Sequence, residues 1–351
     1  MKTTTTKELT LACASMASMA LAGLAGCGGG SSGGSAAVAA VTPVVATPAP
    51  VMGKPIVSDI FTADPSAMVD NGRVYLYTGH DEAAAGGNGY VMNEWRVYSS
   101  CDMKNWTDHG SPLNTTAFAW AKGSAWAADV VKRNGKYYFY APVDHKSIPG
   151  FSIGVAVSDS PIGPFVDARG SALITNDMTT QTSITWDDID PAVFVDPSGQ
   201  AYIYWGNTVL KYAKLKANMI ELDGPIVTVG GIDSYTEAPY MNLHDGTYYL
   251  SFAHHFPEDI AYMTGPSATG PWTYRGVLMN ANSGVKTIHQ AIIDFNNKSY
   301  IFYHNAALPG GGEFRRSVAV EELHYNTDGT MAFVPQTAAG PDANPTASCK
   351  P

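Results

Sequence analysis

Three acids, one histidine and one tryptophan stand at matching places in five similar segments of this 351-residue chain. Gathering several carboxylates in one pocket is costly, because like charges repel each other and lose hydration. Such a pocket is therefore suited to chemistry, as in glycoside hydrolysis, where one acid protonates a leaving oxygen and another carboxylate activates water or attacks carbon. A third carboxylate can raise the pKa of the acid by repulsion. The five residues are Asp64, Trp126, Asp190, Glu237 and His289.

The elements that must position these residues are repeated hairpins. The clearest copy runs from Ile189 to Gly206, where two segments rich in Val, Ile, Phe and Tyr flank an Asp-Pro-Ser-Gly turn. Similar hairpins occupy residues 70–79, 133–142, 244–253 and 296–305. Each of the five residues named above lies eight or nine positions before the turn residue of its hairpin. The turn residues are Gly72, Gly135, Gly199, Gly246 and Asn297.

A second recurring segment follows each hairpin and contributes two further predicted strands. It is clear at 96–113, 154–173 and 260–279 and less regular at 210–229 and 318–334. Four strands per repeat, with about 45 to 65 residues between turns, predict an all-β fold: a five-bladed β-propeller with four-stranded antiparallel blades. The first strand of each blade lines the central channel in such a fold, so we expect the five residues to converge on the axis.

Composition limits the partners of the chain. The net charge is −10, and removing residues 1–26, which carry Lys2, Lys7 and Glu8, leaves −11. A surface with this charge repels phosphate backbones, so nucleic acid is not an expected partner. The two cysteines of the predicted propeller and tail, Cys101 and Cys349, permit a disulfide without implying one.

The N-terminal sequence is typical of a targeting segment. Lysines precede an apolar run at 9–25 that is too short to span a bilayer, and the run ends in a Leu-Ala-Gly-Cys sequence that resembles a bacterial lipobox. Residues 1–26 are thus a predicted lipoprotein signal peptide, with Cys27 as the lipid anchor to a membrane. The alternative is an ordinary secretory peptide with a chance cysteine. In both cases the protein is expected to be secreted across the inner membrane, and in the first it is lipid-anchored to the cell envelope.

The rest of the chain divides by composition. Residues 27–54 form a predicted linker of Gly, Ser, Ala and Pro behind the lipidated cysteine. Residues 55–335 are the predicted propeller. The polar, Pro-rich residues 336–351 are predicted to be disordered.

Four blade starts resemble those of glycoside hydrolase family 43, whose members are five-bladed propeller enzymes. They are TADPSAMV (62–69), IDPAVFVD (189–196), TEAPYM (236–241) and HQAIIDFNNKSYIFYHN (289–305). The resemblance covers roughly residues 55 to 335, and the closing segment at 314–330 is similar to members acting on arabinose- and xylose-containing glycans. The fructan-cleaving propellers match less well, because Ile189 and Ala238 replace an Arg and a Cys of their pattern.

The resemblance implies roles for the three carboxylates. Asp64 would be the general base, Glu237 the general acid, and Asp190 the residue that orients the acid and tunes its pKa. The family inverts configuration, so the carboxylates of Asp64 and Glu237 are expected to be about 6.5 to 9.5 Å apart, which leaves room for a water molecule. Taken singly, an Asp before Pro is more often a turn residue, but its repetition in register favours catalysis.

Other residues receive weaker assignments. His289 is expected, by resemblance, to support a hydrated calcium or other small ion in the channel, with a core histidine as the alternative. Trp126 is expected to stack on a sugar or wall the pocket, with plain core packing as the alternative. Either Arg315 or Arg316 is expected to bind substrate, with Arg315 the preferred residue of the two and a plain surface charge as the alternative. His80 and His255 lie in loops that could contact substrate or be structural, and Asp187, Asp188, Glu258 and Asp259 read as solvated loop residues.

Together these features predict an inverting glycoside hydrolase that needs no cofactor. Its expected substrates are α-L-arabinofuranosyl or β-D-xylosyl linkages in plant polysaccharides or derived oligosaccharides. A non-catalytic surface glycan-binding propeller and an endo-arabinanase are the alternatives, because a fold does not determine a function.

Overall fold

The computed structural model describes residues 51–349 of the chain. The predicted signal peptide and the lipobox with Cys27 lie outside the described residues, as does most of the linker. Within 51–349 there are 22 strands and two short 3-10 helices, at Thr115–Ala117 and Asn176–Met178. In this part of the chain no helix is long and apolar enough to cross a membrane.

The strands form five antiparallel sheets in chain order. Blade 1 contains β1 (Thr62–Asp70), β2 (Arg73–His80), β3 (Glu94–Ser100), β4 (Trp106–Asp108) and the short β5 (Leu113–Asn114). Blade 2 contains β6 (Ala121–Gly123), β7 (Asp129–Arg133), β8 (Lys136–His145), β9 (Phe151–Ser158), β10 (Val166–Asp167) and β11 (Ile174–Thr175).

Blades 3 and 4 have four strands each, and blade 5 has three. Blade 3 contains β12 (Ala192–Val195), β13 (Ala201–Trp205), β14 (Lys211–Leu215) and β15 (Val227–Thr228). Blade 4 contains β16 (Tyr240–His244), β17 (Thr247–His254), β18 (Asp259–Gly265) and β19 (Thr273–Met279). Blade 5 contains β20 (Gln290–Phe295), β21 (Lys298–Asn305) and β22 (Ser317–Leu323).

The start of the described chain completes the ring at blade 5. Pro55 forms an antiparallel bridge with Ala319 of β22, and the Ile56 amide donates to the Val318 carbonyl at 2.8 Å. The predicted five-bladed, all-β propeller is confirmed. The fifth blade differs in detail, because a bridge to the N-terminal segment takes the place of a fourth regular strand.

The hairpin turns explain why the repeat was visible in the sequence. All five turn residues have a positive φ, from 63° at Asn297 to 90° at Gly199. Glycine adopts this conformation without a steric cost, and asparagine tolerates it better than most residues. In four of the hairpins the preceding residue also has a positive φ, which matches the tight turns that suit twisted strands. Backbone geometry therefore fixes residue type at these turns.

The core consists of five hydrophobic clusters, each between two neighbouring blades. A strand presents alternate side chains to its two faces, so one sheet can pack against both neighbours. Trp95 of blade 1 packs with Phe139 of blade 2, for example, and Leu76 of blade 1 shares a cluster with Phe302 of blade 5. The cluster between blades 5 and 1 closes the ring, so that all five blade starts face one channel.

The segment after the propeller differs from its predicted disorder. Residues 336–349 follow a defined path from blade 5 to blade 1: the Thr337 amide donates to Glu321 at 2.6 Å, and the Asn344 amide donates to the Asp102 carbonyl at 2.8 Å. Cys349 forms a disulfide with Cys101, just after β3. Hydrogen bonds and this cross-link hold the segment where its polar composition offers no apolar core.

Candidate active site

The three predicted catalytic acids line one cavity at the starts of blades 1, 3 and 4. The cavity holds about 550 Å³ of space free of atoms, part of it open to solvent. The expected convergence of Asp64, Asp190 and Glu237 is therefore seen. Its lining is Asp64, Tyr90, Met92, Trp126, Ala127, Trp186, Ile189, Asp190, Asn207, Glu237, Thr287 and Arg316.

A shared backbone conformation turns the blade starts toward the channel. Asp64 and Asp190 have φ values of 52° and 56°, and each precedes a proline. The equivalent residue of blade 4 is Ala238, with a φ of 52°, so Glu237 lies one position before it. For a residue other than glycine, the left-handed backbone conformation costs about 1 to 3 kcal/mol of conformational free energy, and such residues are often found at functional sites. This strain aims the acids at the cavity.

Hydrogen bonds from buried groups hold these conformations. The Asp64 amide donates to Nδ1 of His304 at 3.2 Å, and Nε2 of His304 lies 3.0 Å from the Thr287 carbonyl. With Nδ1 as an acceptor, Nε2 carries the proton and donates to Thr287. The Ala238 amide donates to Oδ2 of Asp190 at 3.0 Å. Asp190 thus fixes the peptide next to Glu237, as expected of a residue that orients the acid.

Asp64 is held in its ionised form by an arginine. Nη1 of Arg316 lies 2.9 Å from Oδ1 of Asp64. Burial alone would raise the pKa of Asp64, but the positive charge of Arg316 and the influence of the neighbouring His304 together outweigh that effect, so the pKa lies well below the ordinary value of 3.8. Arg316 itself is buried and is also bound by Asp81, whose two carboxylate oxygens accept from Nε and Nη2 at 2.9 Å each.

Glu237 has the opposite protonation tendency. Burial raises its pKa to about 7, the negative charge of Asp64 adds to the rise, and a 2.7 Å hydrogen bond from Nδ2 of Asn207 opposes it. A carboxyl with this pKa carries its proton over much of the neutral range and can give it to a leaving group. Asp64 and Glu237 are therefore suited to be base and acid.

Asp190 is also pushed toward its protonated form. Burial and the negative charges of Glu237 and Asp64 raise its pKa well above the ordinary value. Nδ1 of His289 lies 3.8 Å from Oδ2 of Asp190, beyond hydrogen-bond distance. Burial lowers the pKa of His289 to about 4, so its imidazole is neutral near pH 7.

The residues predicted to bind substrate divide into two groups. Trp126 lines the cavity and packs against Phe151, with ring centroids 4.2 Å apart. The other three, His80, His255 and Arg315, are not among the lining residues. His80 pairs with Glu94 at 3.0 Å, and His255 lies on a hairpin of blade 4 that does not line the cavity.

The preference for Arg315 needs correction. Its guanidinium lies over the ring of Phe61, 4.3 Å from the centroid, whereas the neighbouring Arg316 reaches the cavity. Adjacent residues at the start of a strand point to opposite sides, and a shift of one residue exchanges their faces. The sequence identified the pair but could not supply the register.

Three of the acids predicted to be solvated loop residues are buried instead. Asp187 and Asp188 are buried, and Nζ of the buried Lys211 lies 3.0 Å and 3.5 Å from them. Glu258 is buried and accepts from the Ile288 amide at 2.9 Å. The ion pairs of Lys211 with Asp187 and Asp188 hold in place the loop that carries Trp186, whose half-exposed side chain lines the cavity.

Several residues of the site were not singled out by sequence reasoning. They lie outside the five-fold repeat register, so periodicity gave no signal for them. The indication in the sequence for His304 is a polar residue at the end of a largely apolar strand. The residues are Asp81, Tyr90, Trp186, Asn207 and His304.

Comparison with known proteins agrees with this geometry. The family model for glycosyl hydrolases family 43 matches residues 52–331. A xylosidase/arabinosidase of Bacteroides ovatus is 33% identical over 327 residues, covering 80% of this chain and 96% of the relative. An arabinoxylan arabinofuranohydrolase of Bacillus subtilis (strain 168) is 35% identical, with 82% of this chain and 64% of the relative covered.

A solved structure gives the same picture in three dimensions. A β-xylosidase/α-arabinofuranosidase from a compost microbial metagenome, crystallised with xylotriose in a calcium-free form, superimposes with a TM-score of 0.72. It is 32% identical, and the match covers 82% of this chain and 98% of that one.

Proposed function

The chain belongs to glycosyl hydrolase family 43 and is a glycosidase, and we propose that it releases α-L-arabinofuranosyl units from plant hemicellulose, arabinan or derived oligosaccharides. β-D-xylosyl units are the second candidate substrate. Similar proteins are named for xylosidase, arabinosidase and arabinofuranohydrolase activity, which supports this pair of sugars.

The observation that carries the mechanism is the divided protonation of two carboxyls in one cavity. Glu237, whose pKa is raised to about 7, donates its proton to the glycosidic oxygen as the bond to the anomeric carbon breaks. Asp64, whose pKa is lowered, accepts a proton from the water that attacks the opposite face of that carbon. Asp190 holds the peptide beside Glu237. The products are a sugar of inverted configuration and the free alcohol of the leaving group.

The substrate and the stereochemistry are tested together. We expect hydrolysis of nitrophenyl α-L-arabinofuranoside with a higher kcat/KM than nitrophenyl β-D-xyloside, and release of arabinose from arabinoxylan. Proton NMR of the first product should show the inverted anomer, because water is activated on the face opposite the leaving group. Retention would remove the assignment of Asp64 as base. Inactivity on both glycosides, arabinoxylan and arabinan would refute the proposed substrates.

The pH dependence follows from the same two groups. Glu237 acts only when protonated, so kcat/KM should fall as the pH rises through about 7. Asp64 acts only when ionised, and its lowered pKa keeps it ionised down to acidic pH. The profile should therefore be flat on the acid side and decline on the basic side, as measured with nitrophenyl arabinofuranoside from pH 4 to 9. A decline that begins below pH 5 would contradict the raised pKa of Glu237.

Two alternatives are separated by simple assays. A glycan-binding propeller has no need for acids of opposite protonation in one cavity, and is therefore not favoured. An endo-arabinanase would cut internal linkages, so linear arabinan would yield oligosaccharides and lose viscosity early. We propose exo action because the cavity is bounded by Trp126, Trp186 and Tyr90, which leave room for a terminal sugar. Early release of monomeric arabinose from arabinan would support this.

A small ion such as calcium in the central channel is a further proposal. His289 fits as a ligand, since its low pKa makes the imidazole neutral, and Oε1 of the adjacent Gln290 is buried without a hydrogen-bond partner. Calcium prefers six to eight oxygens, so water would supply most of its coordination. When bound, the ion would add positive charge near the carboxylates. The hydrolytic steps described above require no cofactor.

Attachment to the cell envelope through Cys27 is proposed from the lipobox. Expression with radiolabelled palmitate in a bacterial host should label the wild-type protein and place it in the membrane fraction. Cys27→Ala should abolish both, while Cys13→Ala should not, because Cys13 lies within the segment removed by cleavage. Labelling that persists in Cys27→Ala would exclude this anchor.

A further inference from the structure

We propose that His254, His255 and Asp259 on blade 4 form a binding site for a zinc-type divalent metal ion. Ligand atoms of the three residues all lie within 4.8 Å of one another. None of the three lines the catalytic cavity, and none belongs to the repeated blade-start positions. The site is therefore additional to the carboxylates and to His289 in the channel.

The hairpin between β17 and β18 brings the three side chains together. His254 and Asp259 are paired across the two strands, so their side chains lie on one face. Consecutive residues of a regular strand would point to opposite faces, but His255 has a φ of 64°, which turns its side chain back toward Asp259. The His255 amide donates to the Ser234 carbonyl at 2.9 Å and holds this turn in place.

The distances suit metal coordination. Nδ1 of His254 lies 2.9 Å from Oδ1 of Asp259, and Nδ1 of His255 lies 3.3 Å from Oδ2. Both contacts are hydrogen bonds in this structure. Two ligand atoms of a tetrahedral zinc ion are about 3.3 to 3.6 Å apart, so the His255 pair is already at this spacing and the His254 pair would have to open by about half an ångström. Two imidazoles and one carboxylate favour zinc or a neighbouring transition metal, whereas calcium prefers an all-oxygen set. Three protein ligands leave a fourth position for water.

The three side chains differ in exposure, which leaves a metal ion both a route from solvent and two firmly held ligands. The side chain of His254 is 6% exposed and that of Asp259 18%, while that of His255 is 55% exposed. Two ligands are thus fixed by the surrounding protein, and the third faces solvent. Burial and then the negative charges of Asp259 and Asp233 raise the pKa of Tyr274, whose ring centroid lies 5.9 Å from that of His254, so Asp233 adds negative charge near the site.

The site is connected to the segment that carries the general acid. The Thr236 amide donates to the Ala253 carbonyl at 3.1 Å, and the Ala253 amide donates to the Glu237 carbonyl at 3.0 Å. A metal ion at the end of β17 would brace the backbone on which Glu237 is mounted. We therefore expect a stabilising role, with less effect on the chemical step.

The test uses the tag-free protein after dialysis against a chelator. After zinc is added back, one equivalent should stay bound through gel filtration, and the melting temperature should rise with zinc concentration. His255→Gln and Asp259→Asn should each weaken zinc affinity by more than about tenfold, measured by calorimetry. Cobalt in place of zinc should give the visible absorption of a tetrahedral site, which a merely hydrogen-bonded cluster would not produce.

The matched control is His244→Gln. His244 also pairs with a carboxylate, lying 3.1 Å from Asp294, but in residues 51–349 it belongs to no group of three possible metal ligands. This variant should bind zinc as the wild type does. Absence of stoichiometric zinc from the wild type, or equal zinc affinity in His255→Gln, would refute the proposal. Hydrogen exchange at residues 234–237 should slow on zinc addition in the wild type and not in His255→Gln.

Discussion

Glu237→Gln should lower kcat/KM for arabinoxylan oligosaccharides by about 10² to 10⁴-fold, the usual contribution of a general acid. The amide keeps the size of the side chain but has no proton of suitable acidity to give to the leaving oxygen. Because the carboxyl is buried and its pKa is about 7, the wild type has that proton available at neutral pH. Initial rates on purified oligosaccharides measure the loss.

Leaving-group dependence separates a lost acid from a damaged fold. Dinitrophenolate needs little protonation to depart, so Glu237→Gln should hydrolyse dinitrophenyl arabinofuranoside at a rate much closer to that of the wild type. The basic decline of the pH profile should also disappear. Glu322→Gln is the control, since Glu322 pairs with Lys298 on the surface of blade 5 at 2.6 Å. Unchanged oligosaccharide hydrolysis by Glu237→Gln would remove it as the acid.

The propeller was predictable because its turns constrain residue type. The hairpin turns need a positive φ, and glycine or asparagine meets this need in every blade. Strand patterns then gave the number of blades, and register with the turns gave the residues at the channel. The predictions of Asp64, Asp190, Glu237 and Trp126 as cavity residues follow from this repetition.

Residues that break the repeat were beyond this reasoning. Arg316 lies one residue before β22 of blade 5, and Asp81 lies one residue after β2 of blade 1. The contacts between them span 235 positions in sequence. The buried cluster of Asp187, Asp188 and Lys211 was missed for a different reason: charged residues are usually solvated, and only the tertiary pairing shows that these are buried.

Arg316→Met should be the most destabilising single change at the site, with a loss of about 3 to 5 kcal/mol in the free energy of unfolding. The guanidinium is shared by Asp64 and Asp81, and the Asp81 side chain is fully buried. Methionine fills much of the volume but leaves two buried carboxylates without a positive partner. Urea denaturation followed by tryptophan fluorescence measures the change.

Arg316→Met should also raise the pKa of Asp64, the proposed general base. Arg316 is the main influence that lowers the pKa of Asp64 against the effect of burial, so removing its charge raises that pKa. Since Asp64 must be ionised to activate water, kcat/KM should then fall on the acid side of the profile, where the wild type is flat. Arg316→Lys retains a positive charge but not the two-oxygen pairing with Asp81. The decline of kcat/KM at acidic pH should therefore be smaller in Arg316→Lys than in Arg316→Met.

Two further variants distinguish charge pairing from general disruption. Adding Asp81→Asn to Arg316→Met removes one uncompensated charge and should recover part of the stability, while activity stays low because Asp64 still lacks its partner. The neighbouring Arg315→Met loses a contact with the ring of Phe61 and should cost about 1 kcal/mol or less. If Arg315→Met were as destabilising as Arg316→Met, or if Asp81→Asn gave no recovery, the paired-carboxylate explanation of the site would have to be abandoned.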